Sequence, residues 1–421
     1  MSGLFGLREL ACELDPSPPQ NTMNVTVTLE QRFDLAVDGS VWTPGQGNYQ
    51  FLKRYLEVFD SVKVVARTQR VSQISSGWKR ADGERVSFVQ VPHYLGPWQY
   101  LRRILQIKRL LGTVARSSEA AILHAPSILA AELVATFIDE QHPYALEVVS
   151  DPWDVFSPGV IHHPLRAYFR ARFSRDLKRQ CKGSFATAYV TKEALQARYP
   201  SRPDAFWASY SDVELGDEAF VLNPRNGYAV GRPIRLIMVG SLAQLYKGPD
   251  VLLDAVGICI GQGLDLRLAL AGDGKYRPYL EDMVTGLGLS ERVRFAGELP
   301  PGKEVRAELD AGDIFILPSR TEGLPRAMIE AMARALPCIG SKVGGIPELL
   351  LAEDMVPAGN AVALAQKIME VARDPIRLAG MSRRNLAHSK QYHESLLRQS
   401  RIQFYEYVRA KTAEWFTSRQ T

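Results

Sequence analysis

Two carboxylates eight residues apart, Glu322 and Glu330, stand in the stretch "SRTEGLPRAMIEAMARALP" (319–337). The first follows an apolar run that reads as a strand, and the second lies inside an amphipathic run that reads as a helix. Pro325 suits a first helical turn, which places Met328, Ala331, Met332 and Ala335 on one apolar stripe. Glu330 then falls almost opposite, beside Arg326 and Arg334 at i−4 and i+4. The pair is either site chemistry or the polar side of a surface helix, an Arg–Glu–Arg ladder contributing about 0.2–0.5 kcal/mol per contact. Periodicity does not choose between them, because a helix facing a cleft and one facing bulk water share the same wheel.

Three further loops carry chemical character. In "VGSLAQLYKGPDVLLDA" (239–255) a strand ends at Gly240, and Lys247-Gly248 opens a helix. Unpaired amides at a helix start and a lysine beside them suit a phosphate, whereas the plain alternative is a βα turn with a solvated lysine. "LAGDGKYRPYL" (270–280) makes a tight turn at Gly272-Asp273-Gly274, but it lacks the third glycine and the acid of a nicotinamide site. "GGIPELL" (344–350) is a glycine turn entering a helix.

The elements that must position these loops alternate. "IRLIMVG", "LRLALAG", "VRFAG", "DIFILPS" and "LPCIG" are short apolar runs separated by amphipathic stretches, the pattern of a parallel sheet covered by helices. "NVTVTL", "SVKVVAR", "AAILHAP", "YALEVVS" and "FATAYVT" repeat it less cleanly in the first half, with "FATAYVT" taken as its last strand. Two doubly wound domains follow, residues 1–225 and 226–390, joined near the Gly-, Pro- and Asn-rich "VLNPRNGYAVGRP" (221–233). Residues 391–421 form one long helical tail.

Bulk properties narrow the class. A chain of 421 residues with 46% hydrophobic and 23% charged residues is a folded protein of more than one core. The four cysteines (Cys12, Cys181, Cys259, Cys338) form no CxxC pair, which points to a reducing cytosol. No run approaches the roughly 20 apolar residues of a membrane span, and the acidic N-terminus is a poor signal peptide. A net charge of +5 is mild for nucleic-acid binding, so no nucleic-acid partner is expected.

Taken in order, "VGSLAQLYKGPDVLLDA", "AGDGKYRPYL", "VRFAGELP", "LPSRTEGLPRAMIEAMARALP" and "VGGIPELL" resemble the signature of the retaining GT-B glycosyltransferases, family 4 (group 1), over about 120 residues. The resemblance implies an α/β fold of two Rossmann-like domains facing across a cleft. Residues 226–390 would bind the nucleotide-sugar, 1–225 the acceptor, and helix 391–421 would cross back to the first domain. Glu322 and Glu330 match the family's EX7E pair, which implies the donor sugar for the first and the nucleotide ribose for the second. Lys247 matches the lysine that neutralises the diphosphate. The amides around Gly323 and Leu324 would hold the distal phosphate, the turn before Gly297 would sit near the base, and Gly240, Gly248 and Gly272 would line the donor. No metal and no other cofactor is implied. The implied reaction moves a sugar from a UDP- or GDP-sugar to a saccharide or lipid-linked acceptor in polysaccharide or glycolipid assembly. An epimerase or hydrolase on this fold, or a silent scaffold subunit, is the alternative.

The sequence departs from the family at Ser241, where the usual arginine of the phosphate clamp is absent; Arg320 and Arg326 flank the site as substitutes. In the first half, "TPGQGNYQFLKRYLEVF" (43–59) resembles the family's glycine loop, with Gly45, Gly47 and Asn48 toward the diphosphate and acceptor. After "ALEVVS" the family often has a histidine in the cleft. Asp151 stands there instead, either touching sugar or acceptor, and so catalytic with Glu322 and Lys247, or serving as a turn cap. His124 reads as structural. The basic stretches 97–111 and 162–183 are amphipathic. Either they are ordinary domain helices, or they bring the chain to an anionic membrane surface on its cytoplasmic side.

Overall fold

The computed structural model describes residues 22–157, 160, 163–226 and 232–420. Cys12, the acidic N-terminal segment, His162 and positions 227–231 of the expected joint lie outside the described residues. The first sheet is nine-stranded: β1 (Asn24–Leu35), β2 (Val41–Thr43), β3 (Ser61–Arg70), β4 (Lys79–Arg80), β5 (Val86–Pro92), β6 (Ala120–Ala125), β7 (Ala145–Val148), β8 (Ala186–Tyr189) and β9 (Phe206–Ser209). Its parallel strands run in the order β5-β3-β1-β6-β7-β8-β9, while β2 and β4 pair antiparallel beyond the end of β1. Along β1 both Val25 and Val27 and the alternate Thr26 and Thr28 are buried, as expected when helices cover both faces.

Those helices are α1 (Tyr49–Leu52), α2 (Gly96–Arg116), α3 (Ile128–Asp139), α4 (Pro152–Val155), α5 (Arg166–Gly183) and α6 (Ala194–Arg198). The run "FATAYVT" is not the last strand of this half. "FWAS" adds β9 beyond it, and "VSFVQVP" forms the opposite outer parallel strand, β5. The two basic amphipathic helices behave differently. In α5 Leu177 and Cys181 are buried and Phe173 stacks on Phe156, so its apolar stripe turns inward. In α2 Trp98, Leu101 and Leu105 are 78%, 54% and 69% exposed.

The second sheet contains β10 (Ile234–Val239), β11 (Leu266–Ala271), β12 (Val293–Gly297), β13 (Ile314–Leu317), β14 (Cys338–Ser341) and β15 (Met355–Val356), all parallel in the order β12-β11-β10-β13-β14-β15. It is flanked by α7 (Pro249–Gly261), α8 (Arg277–Gly286), α9 (Lys303–Ala311), α10 (Arg326–Ala333), α11 (Ala361–Ala372) and α12 (Pro375–Ser389). The final helix, α13 (Glu394–Gln420), lies against β6, β8 and β9 of the first sheet. Its Phe404, Tyr405 and Val408 are fully buried, each side chain contributing roughly 1.5–3 kcal/mol.

Each sheet reverses its strand order once, between β1 and β6 in the first and between β10 and β13 in the second. Ligands of such sheets bind outside the carboxyl ends of the strands at these reversals. Both reversals border the gap between the two halves, where Gly323, just after β13, meets the Val149 carbonyl, just after β7.

Candidate functional site

On the second sheet, the site grows from the ends of β10 and β13. The backbone turns at Gly240, where an added Cβ would stand 2.4 Å from Lys247 Cδ and push the lysine off the strand end. Lys247 Nζ then donates to Glu322 Oε1 at 2.9 Å, and Ser319 Oγ donates to the same oxygen at 2.7 Å. The side chains are only 14% and 8% exposed. Burial alone would lower the lysine pKa, but the Glu322 carboxylate outweighs it and the ammonium is stabilised. Gly344, at φ +50°, brings the loop after β14 over this point, since a Cβ there would meet the Glu322 carbonyl oxygen at 2.0 Å. Gly345 N–H closes the contact on Gly323 O at 2.7 Å. Among the described residues, the N–H groups of Gly323 and Leu324 donate to no other group of the chain.

The two arginines proposed to replace the missing clamp residue have separate fates. Arg320 is bound to both oxygens of Asp250 at 2.8 and 2.6 Å and to Leu245 O at 2.7 Å, so it ties the Lys247 loop to β13. Arg326 is exposed on the first turn of α10 and makes no ion pair among the described residues, while its field reaches both Lys247 and Glu330. Ser241 is exposed, and its Oγ accepts from Ala243 N–H at 3.2 Å. Gly248 caps α7 in the left-handed conformation, and Gly272 N–H donates to Gly297 O at 2.7 Å, joining the ends of β11 and β12.

The expected ladder on α10 does not form. Pro325 is the cap rather than the first helical residue, and Arg334 turns away to Asp310, at 2.8 and 2.7 Å, and to Ala219 O. Ile329 and Ala333 are buried along with Met328, Ala331 and Met332, so the helix has only a narrow polar edge. Burial raises the Glu330 pKa against the fields of Arg326 and Arg306.

Across the gap lies a cleft of about 330 Å³ lined by Gln31, Gly47, His124, Gly323, Leu324 and Arg326, residues from both halves. Gly47 is therefore at the cleft. Gly45 is exposed and donates to Thr43 Oγ1 at 3.3 Å, and the Asn48 side chain is used to cap α1 through Phe51 N–H. Asp151 is put to a different use from the catalytic one expected. It is 5% exposed, caps α4 through Trp153 N–H at 2.8 Å, accepts from Tyr199 at 2.5 Å and pairs with Arg198. With those partners its carboxylate is committed to the fold, and it does not line the cleft.

Two carboxylates that tie the structure together near the cleft were not evident from sequence. Glu147, in the middle of β7, is 3% exposed and accepts from Tyr55 and Tyr210 at 2.5 and 2.6 Å, and from Tyr405 of α13 at 3.2 Å. His124 Nε2 lies 2.7 Å from Glu147 Oε2, the oxygen that also accepts from Tyr55. Burial would raise its pKa, but His124, Arg54 and Tyr210 together hold it well below the usual carboxylate range. The only sequence signal was an acid inside an apolar strand. Glu348, in "GGIPELL", reaches across the gap to accept from the N–H groups of Lys192, Glu193 and Ala194 at 2.6, 3.1 and 2.8 Å. Its partners lie about 155 residues away, so no local pattern announces it.

The comparisons agree with this architecture. Residues 233–374 match the family described as "Glycosyl transferases group 1". Protein CapJ of Staphylococcus aureus is 25% identical over 82% of this chain and 82% of its own length. The amylovoran biosynthesis glycosyltransferase AmsK of Erwinia amylovora is 33% identical over 38% of this chain, but the match spans only 41% of AmsK. The crystal structure of Anabaena HepE in complex with UDP and glucose superposes with a TM-score of 0.58 over 94% of this chain and all of that one, at 16% identity. The second sheet thus carries a match to the group 1 glycosyltransferases, and the two Rossmann-like sheets facing one cleft have the GT-B fold of the solved glycosyltransferase structures they resemble.

Proposed function

We propose that the chain transfers a sugar, with retention at the anomeric carbon, from a UDP- or GDP-sugar to a saccharide or lipid-linked acceptor in polysaccharide or glycolipid assembly. The observation that carries this reading is the buried Lys247–Glu322 pair at the β10/β13 reversal, beside the amides of Gly323 and Leu324, which are unpaired among the described residues. The leaving group is a nucleoside diphosphate, so catalysis needs cations and amide donors where negative charge develops. Lys247 and Arg326 supply the charge, the Gly323 and Leu324 amides hold the distal phosphate, and Glu322 takes the donor sugar hydroxyls. Glu330 receives the ribose, the Gly297 turn faces the base, and Gly240, Ser241, Gly248 and Gly272 line the donor. Charge neutralisation is assigned to these groups, with no metal ion invoked.

The bond from the anomeric carbon to the phosphate oxygen breaks as the acceptor oxygen bonds to the same face of that carbon. The acceptor proton passes to the departing phosphate. AmsK's description as a biosynthetic glycosyltransferase and the UDP and glucose bound to HepE support the reading. A panel of UDP- and GDP-sugars, followed for transfer and for donor hydrolysis, tests it. Turnover of none of them would favour the silent scaffold, which the serine at position 241 keeps in view.

The exposed apolar line on α2 favours one addition, a peripheral seat on an anionic membrane. Trp98, Leu101 and Leu105 project beside exposed Arg102, Arg103, Lys108 and Arg109, and no helix among the described residues is long and apolar enough to cross a bilayer.

A further inference from the structure

His124 is the penultimate residue of β6, at the reversal point of the first sheet, opposite Leu324 and Arg326 of the second. The residue is only 8% exposed, yet it lines the cleft. Its two ring nitrogens are in different situations. Nε2 lies 2.7 Å from Glu147 Oε2 and 2.9 Å from Tyr55 Oη. Nδ1 has no partner among the described residues, and it is not among the unpartnered polar atoms sealed from solvent. A nitrogen that is neither bonded nor sealed, in a ring otherwise buried, opens into the cleft.

The surroundings fix the ring. Glu147 accepts from three tyrosine hydroxyls, on Tyr55, Tyr210 and Tyr405, and Arg54 stands 3.9 Å away, so it is an anion held in place by groups from three parts of the chain. An anion can only accept, which places the proton on Nε2. The His124 backbone is tied as well, its N–H donating to Thr28 Oγ1 at 3.0 Å. Phe51 packs edge-on against the ring, with centroids 6.1 Å apart.

Resting on the transferase reading above, we propose that His124, oriented by Glu147, presents Nδ1 to a hydroxyl of the sugar or acceptor in the cleft. Glu147 is then a positioning residue that never touches substrate. The ligand chemistry is a polyol hydroxyl, the one group that donor sugar and saccharide acceptor share.

His124→Gln and His124→Asn separate this from a structural role. Glutamine carries its amide near the Nε2 position and keeps a donor for Glu147, whereas asparagine carries its amide near the Nδ1 position. The expected result is His124→Gln with a near-native Tm but a roughly tenfold loss in kcat/KM, and His124→Asn with a lowered Tm but the smaller kinetic loss. UDP affinity, set by the second sheet, stays unchanged in both. Nitrogen-15 NMR of the native imidazole is expected to find the proton on Nε2. Native kcat and KM in His124→Gln, or a neutral ring protonated on Nδ1, would overturn the inference while leaving the transferase reading intact. A native chain that turns over no donor would sink both.

Discussion

Glu322 and Glu147 are both buried carboxylates near the central strands, one in each half, and each faces a cation, Lys247 or Arg54. Their surroundings differ. Glu322 follows β13, has one lysine and one serine, and stands beside amides that have no partner among the described residues. Glu147 lies within β7 and is surrounded by three tyrosines, a histidine and an arginine. A carboxylate with few partners at a loop can exchange them for a ligand. One saturated with donors inside a strand holds its neighbours in place. The second half thus carries exchangeable contacts, and the first carries a fixed scaffold.

The largest expected effect tests the exchangeable side. Lys247→Ala and Glu322→Ala should each lower turnover by about 10²–10³-fold or more, because each removes a charge placed where the leaving group or the sugar sits. Steady-state kinetics with the best donor of the panel measures this. Turnover within a few-fold of native would show that the pair is structural, like Glu147.

The matching change on the fixed side should act through stability. Glu147→Ala leaves His124 and the hydroxyls of Tyr55, Tyr210 and Tyr405 without their buried anion, while Arg54 keeps Asp212 at 2.6 Å, a loss of about 3–5 kcal/mol read by chemical denaturation. Acid should reproduce part of it. The folded pKa of Glu147 lies below its unfolded value near 4.5, so its stabilisation is present above that pH and is lost as pH falls toward the folded value. Tm should therefore fall more steeply below pH 4.5 in the native chain than in Glu147→Gln. Parallel slopes would remove Glu147 as the fixed anion.

The contrast also explains what the sequence disclosed. The second half was legible because its two leading candidates lie in loops contiguous with the strands that position them: Lys247 seven residues beyond Gly240, Glu322 five beyond Leu317. The first half was not, because its charged centre is assembled from residues 54, 55, 124, 147, 210 and 405. Asp151 looked available only because Arg198 and Tyr199, nearly fifty residues on, were invisible as its partners. The Arg–Glu–Arg ladder failed for the same reason, since Asp310 on α9 claims Arg334. Short strands such as "FWAS" carry too few residues for period-two alternation to register.

A smaller effect divides the arginines. Arg326→Ala should weaken UDP or GDP binding roughly tenfold while leaving Tm unchanged, since the side chain is exposed and makes no ion pair among the described residues. Arg320→Ala should lower Tm first, by leaving Asp250 unpaired beneath the Lys247 loop. Titration calorimetry and thermal shift on the two variants decide it. Equal affinity in native and Arg326→Ala would leave the second half without a substitute for the clamp arginine.

The smallest effect concerns the outer faces of the first half, where α2 and α5 share a basic amphipathic sequence but not a fate. Because α5 turns Leu177 and Cys181 inward, its charges are an ordinary solvated face. α2 leaves Trp98, Leu101 and Leu105 outside, and aliphatic and aromatic groups beside arginines gain from an anionic interface through both burial and charge. Binding to vesicles containing phosphatidylserine should therefore weaken with salt and fall several-fold in Trp98→Ala/Leu105→Ala, and should be little changed by Arg172→Ala/Arg175→Ala on α5. If both double variants lose binding equally, attraction is diffuse charge rather than α2 insertion. If native protein ignores the vesicles at low salt, the fixed half has no membrane face, and its exposed leucines call for another partner.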